Sequence, residues 1–90
     1  MATIVGPVRF GRHGRLRLAE RGFDPVWIER LLDQPDWTVP DPSFPDRVRV
    51  FGLVPKLGQI LRVVIERAQG GGWEIVTIFP DRHAWKRRPR

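Results

Sequence analysis

Two histidines near opposite ends of the chain are the residues best suited to acid–base chemistry. His13 lies in the basic run 9–17, His83 lies in the basic run 81–90, and the sequence has no third histidine. A histidine changes its charge near neutral pH, and an arginine supplies a fixed charge that binds phosphate. Together these groups can hold a phosphodiester and move its protons. A single site requires the fold to bring the two runs together.

The positive charge is concentrated in two segments of the sequence. The formal net charge is +6 at pH 7. Residues 9–21 and 82–90 are strongly basic, whereas residues 22–81 carry more acidic than basic groups. This clustering favours a polyanionic partner, with nucleic acid as the first candidate. Two alternatives stay open: a bias toward arginine can reflect genome composition, and terminal basic runs are often merely solvated.

Length and composition limit the chain to one small domain. Ninety residues, of which 41% are hydrophobic, can bury one modest core. We expect a single domain over residues 1–90, with a basic tail over residues 82–90. Cysteine is absent, so there is no thiolate metal site, and no histidine–carboxylate cluster has ligand spacing. We therefore expect neither a metal nor a small-molecule cofactor.

The sequence also predicts a cytoplasmic protein. No apolar run is long enough to span a membrane. The N-terminal residues lack the apolar stretch of a signal peptide. The absence of cysteine fits a reducing compartment. We therefore expect no contact with a membrane.

Two short helices are predicted in the first half. Residues 12–21 combine a narrow apolar stripe with arginines, and Gly22 suits the position that ends such a helix. Asp24 is a good N-cap, Pro25 fits the first helical position, and Pro35 ends the segment. We expect these helices to form a helical hairpin.

Strand-forming segments follow the helices. β-branched residues and alternating patterns predict strands, and the run Gln-Gly-Gly-Gly at 69–72 marks a hairpin turn. Sequential strands with short loops predict an antiparallel sheet. The expected fold is α+β: a short N-terminal strand, a two-helix hairpin, and an antiparallel sheet of three to four strands with the helices on one face. The strand candidates are residues 3–5, 37–39, 48–54, 59–67 and 73–79.

The last hairpin decides which side chains share a face, because strands have a period of two. One register places Glu66 opposite Glu74, which is unfavourable, so we favour the register that pairs Arg67 with Glu74. We expect Arg62 to lie opposite Thr77 as a phosphate cradle, although Arg62 and Glu66 would equally suit a merely solvated face. The face away from the helices would carry Ile60, Arg62, Val64, Glu66, Trp73, Ile75, Thr77 and Phe79.

Five sequence motifs follow one another in the order of a known family. They are His13-Gly-Arg-Leu-Arg-Leu-Ala-Glu-Arg-Gly-Phe, Asp24-Pro-Val-Trp-Ile-Glu-Arg-Leu-Leu-Asp-Gln-Pro, Arg49-Val-Phe-Gly, Leu61-Arg-Val-Val-Ile and Ile75-Val-Thr-Ile-Phe-Pro80. Over residues 10–80 the chain resembles a family of small prokaryotic toxin-like domains of unknown function. That family is related in architecture to the RelE and BrnT ribonuclease toxins of the barnase–EndoU–colicin–RelE group.

The resemblance implies a RelE-like fold and a metal-independent endoribonuclease, the toxin of a type II toxin–antitoxin system with an antitoxin protein as partner. The chain departs from the pattern because it lacks tyrosine and has Gly14 after the first histidine. Matches to the family's polar positions are His13, Arg17 or Arg21, Arg62 and Thr77, while Arg82 and His83 follow the last strand, where related toxins often place a catalytic basic group.

Metal-independent RNA cleavage needs a base for the 2′-hydroxyl, an acid for the leaving oxygen, and cations for the phosphate. We expect His13 or His83 as base or acid, Arg62 and Arg21 on the phosphate, and Thr77 as a positioning hydroxyl. Trp73, Phe79 or Trp85 would suit stacking on an unpaired base. The expected nucleic-acid contacts are Arg12, Arg15, Arg17, Arg21, Arg49, Arg82, Lys86 and Arg87.

Two other functions remain open from the sequence. The same basic residues suit a nonenzymatic RNA-binding module. They also suit an interaction protein whose basic surface binds an acidic partner. Cleavage of RNA in EDTA would separate the enzyme from both alternatives.

Overall fold

The computed structural model describes residue 4 and residues 6–88 as an α+β fold. One mixed five-stranded sheet has the strand order β1-β5-β4-β3-β2. Two helices pack on one face, which we call the helix face, and a short third helix follows the last strand. The elements are β1 Val8–Phe10, α1 Arg12–Arg21, α2 Pro25–Asp33, β2 Trp37–Pro40, β3 Arg47–Val54, β4 Gln59–Arg67, β5 Trp73–Pro80 and α3 Ala84–Arg87.

Local signals define both long helices, as predicted. α1 ends at Gly22, whose φ of 67° is the left-handed conformation that glycine tolerates. The Asp24 carboxylate caps α2, because its Oδ1 accepts a hydrogen bond from the Val26 N–H at 2.9 Å. Pro25 occupies the first turn of α2, where its missing N–H costs nothing. The two predicted helices are thus confirmed, and they pack mainly on the sheet, α1 on β5 and α2 on β3.

The sheet corrects the expectation of a wholly antiparallel arrangement. Strands β2 to β5 pair antiparallel, but β1 pairs parallel with β5. The chain returns beside β1 as β5 only after two helices and three antiparallel strands, and the two strands then run in the same direction. Thr3 and Val5, in the expected N-terminal strand 3–5, lie outside the described residues. The N-terminal strand of the structure is Val8–Phe10.

A bulge in β5 changes the register of the last hairpin. Near the turn, Glu66 lies opposite Glu74 and Arg67 opposite Trp73, so the predicted Arg67–Glu74 pairing is wrong. Beyond the shift at Val64/Ile65, the register advances by one residue. Glu66 tolerates this position because its Oε1 lies 3.2 Å from Arg47 Nε on β3. A third strand therefore supplies the counter-charge that two-strand reasoning omits.

The helix face covers the main hydrophobic core. Ile28 and Leu31 of α2 are buried against Val50, Val63 and other side chains of the central strands. Trp73 and Ile75 belong to this core, so their predicted position on the opposite face is wrong. The bulge accounts for the difference, because one extra residue reverses the side-chain alternation of a strand.

The opposite face, which we call the distal face, carries a second and smaller core. Trp37, Phe51 and Ile60 from three strands pack there with Ala84 of α3. The Trp37 and Phe51 rings stack with centroids 4.9 Å apart. Ala84 is completely buried, so the segment after β5 is folded against the sheet at this point. Of the expected tail 82–90, residues 89 and 90 lie outside the described part.

Two absences apply to the described residues only. None of their helices has the length and apolar character needed to cross a membrane. They also contain no group of three or more histidine, cysteine or acidic residues placed to hold a metal ion.

Candidate functional site

The four predicted catalytic residues lie on both faces of the sheet. His13 is exposed on α1, which packs against β5 on the helix face. Arg62 and Thr77 point to the distal face, and His83 directly precedes the distal residue Ala84. The start of α1 lies beside Ile75, while His83 follows the other end of β5, about 16 Å along the strand. The two histidines therefore do not form one site.

Arg62 lies in a site with its own counter-charge. It is paired with Phe79 rather than Thr77, and Thr77 lies opposite Val64, so the predicted cradle register is wrong. The guanidinium carbon lies 4.3 Å from the centre of the Phe79 ring. Arg62 Nε is 3.6 Å from Asp81 Oδ2, and these side chains are only 13% and 5% exposed. A phosphate reaching Arg62 would have to compete with the Asp81 carboxylate.

The other distal-face arginines on the strands are also paired with carboxylates. Arg47 Nε lies 3.2 Å from Glu66 Oε1, and Arg49 Nε lies 3.3 Å from Asp41 Oδ2. Arg49, an expected nucleic-acid contact, thus has a carboxylate partner in the fold. The positive charge of this face is therefore largely balanced inside the protein.

Asp41 is also anchored by the backbone of its own turn. Its Oδ1 accepts hydrogen bonds from the Ser43 N–H at 2.9 Å and the Phe44 N–H at 3.0 Å. The Ser43 hydrogen bond is the largest influence lowering the Asp41 pKa below its ordinary value of 3.8, with Phe44 and Arg49 adding to it against the opposing effect of burial. The carboxylate consequently stays ionised and holds Arg49.

The outer surface of α1 has a different charge balance. We call its exposed residues Arg12, His13, Arg15, Arg17 and Arg21 the α1 basic surface. Arg17 Nη1 lies 3.1 Å from Glu20 Oε2. The other four make no salt bridge with any residue that the structure describes. Their charges face solvent and are available to a polyanion.

The C-terminal basic residues form a separate group beside the distal face. Arg82, His83 and Lys86 are exposed. The His83 N–H donates to Asp81 Oδ1 at 3.0 Å, which ties the start of this segment to the buried carboxylate. The side chain of Arg87 lies outside the described residues. This segment starts beside the Arg62–Asp81 pair, away from α1, so the predicted contacts separate into two groups.

Two carboxylates near the candidate residues were not among the predicted site residues. Asp81 is the only acid after β5 and is buried beside Arg62. Glu74 lies at the start of α1, where its Oε2 would be 3.4 Å from a Cβ atom added at Gly11. The isolated acid in a basic segment was a usable signal for Asp81. Glu74 had no such signal, because its neighbour β1 is distant in sequence.

The three aromatic residues expected to stack on a base differ in their surroundings. Trp73 is buried in the main core, and Phe79 lies beneath Arg62. Trp85 is 55% exposed. Its ring is 5.7 Å from the Trp37 ring, and Arg88 lies 5.2 Å from its centre. Trp85 is therefore the accessible candidate among the three.

The fold and these surfaces define a small basic α+β domain with separate cationic regions on α1 and after β5. Comparison with known protein families, curated proteins and solved structures finds no match to this chain.

Proposed function

We propose that the protein binds RNA through the α1 basic surface. The observation that supports this proposal is a difference in salt-bridge partners between two sets of arginines. Those pointing from the strands to the distal face have carboxylates within 4 Å, whereas Arg12, Arg15 and Arg21 have no salt-bridge partner among the described residues. Exposed, uncompensated guanidinium groups suit direct contact with phosphates.

The polarity of α1 adds to its attraction for phosphate. Its first turn contains no acidic residue, while Arg12 and His13 are both there. The amide groups at a helix N-terminus carry partial positive charge, so they act in the same direction as these side chains. Gly14 holds α1 close to β5, leaving the charged side chains on its outer side. The sequence resemblance described above favours RNA over other polyanions.

The binding proposal can be tested with a charge-matched pair of double variants. Replacing Arg12 and Arg15 by glutamine should weaken RNA binding and reduce the slope of log affinity against log salt by about 2, since each lost phosphate contact removes about 1. The control variant replaces Arg30 and Lys56 by glutamine. These two exposed cations lie on α2 and after β3. Fluorescence anisotropy over a salt series measures both effects. Equal slopes for the two variants would contradict the proposal.

A metal-independent endoribonuclease of the toxin type is the second candidate. The specific observation is the Glu74 carboxylate beside Gly11, the residue that directly precedes Arg12 and His13 at the start of α1. A carboxylate and a histidine could exchange protons with the 2′-hydroxyl and the leaving oxygen, while Arg12 and Arg15 hold the phosphate. This pair would replace the His13–His83 pair, whose members lie near opposite ends of β5.

Cleavage assays in EDTA can distinguish this enzyme from a binding module. His13→Ala and Glu74→Gln should each lower the cleavage rate by at least about a hundredfold, the usual contribution of a general acid or base. His83→Ala should leave the rate near that of the unmodified protein. Loss of cleavage only in His83→Ala would contradict a catalytic site at α1 and would indicate one on the distal face. RNA binding without cleavage would leave the binding function alone.

The second candidate function, an endoribonuclease toxin, also implies an antitoxin protein as partner. An acidic protein covering the α1 basic surface would neutralise its charge and block RNA. Expression of the chain should then arrest growth, and Arg12→Gln/Arg15→Gln should relieve the arrest at equal protein level. Relief by His83→Ala instead would contradict a toxic surface on α1.

A further inference from the structure

A pocket on the distal side is separate from the α1 basic surface. Its volume is about 240 Å³. Its lining includes Leu53, Ile60, Asp81, Arg82 and Trp85. Pockets that enclose a whole drug-sized ligand generally measure about 300–1,000 Å³. This smaller pocket suits one ring system of a longer ligand.

The walls of the pocket expose apolar surface that the folded core does not use. Trp85 is 55% exposed and Leu53 is 49% exposed, whereas Ile60 is buried at the base. Trp85 is also held in position by three neighbours. Its preceding residue Ala84 is completely buried, its own ring lies against Trp37, and the guanidinium carbon of Arg88 lies 5.2 Å from the ring centre, so a stacking base would share or displace this cation. A fixed and accessible indole is a platform on which a flat ring can stack with little loss of side-chain entropy.

The polar groups indicate the orientation of the ligand. Asp81 lines the pocket, and its carboxylate would repel a phosphate placed inside. Arg82 also lines the pocket and is exposed, with Lys86 and Arg88 exposed nearby in sequence. An anionic group is therefore favoured outside the pocket, with the uncharged ring inside. A nucleotide has this arrangement, because its base is flat and its phosphate is separated from it by the sugar.

We propose that this pocket binds one unpaired base of a single-stranded RNA, stacked on Trp85 with the adjoining phosphate on Arg82. The proposal rests on the RNA-binding function and adds a second contact region to it. The α1 basic surface supplies charge without reading bases, whereas the pocket requires a base that is free of a duplex. The protein would thus prefer single-stranded RNA to duplex RNA of equal charge.

The direct test uses a single-stranded tetranucleotide RNA and an abasic oligomer with the same backbone. The indole N–H signal of Trp85, assigned with Trp85→Phe, should shift with the tetranucleotide and stay in place with the abasic oligomer. Trp85→Ala should weaken tetranucleotide binding about tenfold, as expected for loss of one base–aromatic stack. Trp85→Phe keeps a ring and should lose less, which provides a second measurement if the alanine variant does not fold.

Phe44→Ala is a matched control for this experiment. Phe44 is 51% exposed and has Arg47 4.2 Å from its ring centre, an environment like that of Trp85 and Arg88. Arg47 and Leu53 are at opposite ends of β3, so the control ring is remote from the pocket. Phe44→Ala should bind the tetranucleotide as the unmodified protein does. Equal losses for Phe44→Ala and Trp85→Ala would overturn the proposal.

The outcomes for the two RNA-binding regions can be separated. If Arg12→Gln/Arg15→Gln weakens binding but the Trp85 signal stays fixed, the pocket inference is wrong and the proposed function stands. If that variant binds RNA normally while the Trp85 signal shifts, the pocket stands and the α1 proposal is wrong. An equal shift with an acidic peptide that contains no base would favour a protein partner and overturn the base-binding proposal.

Discussion

At the scale of one residue, Gly14 determines how closely α1 packs on β5. Beside His13 it departs from the family pattern and weakens helix formation, since glycine is a poor helix former. In the fold, a Cβ atom at this position would lie 2.5 Å from the Ile75 carbonyl oxygen and 3.1 Å from Ile75 Cγ2. Glycine is needed for the close approach of α1 to β5, and this approach sets the position of the α1 basic surface.

Gly14→Ala should therefore destabilise the protein although alanine favours helices. The gain in helix propensity is about 1 kcal/mol. The contact with a backbone oxygen requires α1 to move, and overpacking of this kind costs about 1–3 kcal/mol, with the upper part expected here. We expect the free energy of unfolding, measured with urea, to fall by about 1–2 kcal/mol. Ala19→Gly, on an exposed position of the same helix, gives the propensity change alone.

An increase in stability for Gly14→Ala would contradict the close packing of α1 on β5. The Ala19→Gly control should lose about 1 kcal/mol, the ordinary penalty for glycine in a helix. A much larger loss in the control would show that the exposed side of α1 also has tertiary contacts.

At the scale of an element, Asp41 stabilises the connection between β2 and β3. Its carboxylate accepts hydrogen bonds from two backbone N–H groups and holds Arg49, which lowers its pKa in the fold. A lowered carboxylate pKa stabilises the fold above the unfolded-state pKa, and this contribution disappears as the pH falls through the folded-state pKa. Ionised Asp41 therefore supports the connection at neutral pH and loses this role in acid.

Asp41→Asn should be less stable than the unmodified protein at pH 7, and the difference should shrink at low pH. The asparagine keeps an acceptor oxygen but lacks the charge that Arg49 requires. The difference should be constant above about pH 5, and should decrease below about pH 4, near the ordinary pKa of aspartate. Urea unfolding at pH 7, 5 and 3 measures this dependence. A difference that grows as the pH falls would have the wrong sign for a lowered pKa.

At the scale of the whole molecule, the sheet separates the two histidine-bearing segments. α1 lies on the helix face near the start of β5, while α3 follows the end of β5 and packs on the distal face. A phosphodiester held at His13 cannot at the same time be reached by His83. The two basic segments are thus separate surfaces, and under the proposed function one RNA strand would meet them in succession.

Because the chain contains no cysteine, this separation can be measured with introduced pairs. Spin labels on His13→Cys/His83→Cys should be at least about 20 Å apart, combining about 16 Å along β5 with the offset between the two faces. Labels on the control pair His13→Cys/Glu74→Cys should be much closer, since Glu74 lies at the start of α1. Electron paramagnetic resonance of the paired labels gives both distances. Similar short distances in both pairs would restore a joint histidine site.

The parts of the fold that were predictable are those with a local cause. The Asp24 cap, Pro25 and Gly22 define the ends of the helices through interactions with near neighbours in sequence. The strand segments followed from β-branched composition, and the hairpin from three successive glycines with positive φ. The parallel placement of β1 was not predictable, because its partner β5 is distant in sequence. The bulge near Ile65 was not predictable either, because strand composition does not reveal where one extra residue shifts the register.

The same distinction between local and tertiary causes applies to the candidate site. The sequence by itself determined the chemistry available: several arginines on one predicted helix, two histidines, and no cysteine. Only the tertiary structure decided that Arg62 has Asp81 beside it, that Trp73 is buried while Trp85 is accessible, and that the histidines lie near opposite ends of β5. Residue type and helix periodicity are local properties, whereas ion pairing and sheet face depend on strand order and on a one-residue shift in register.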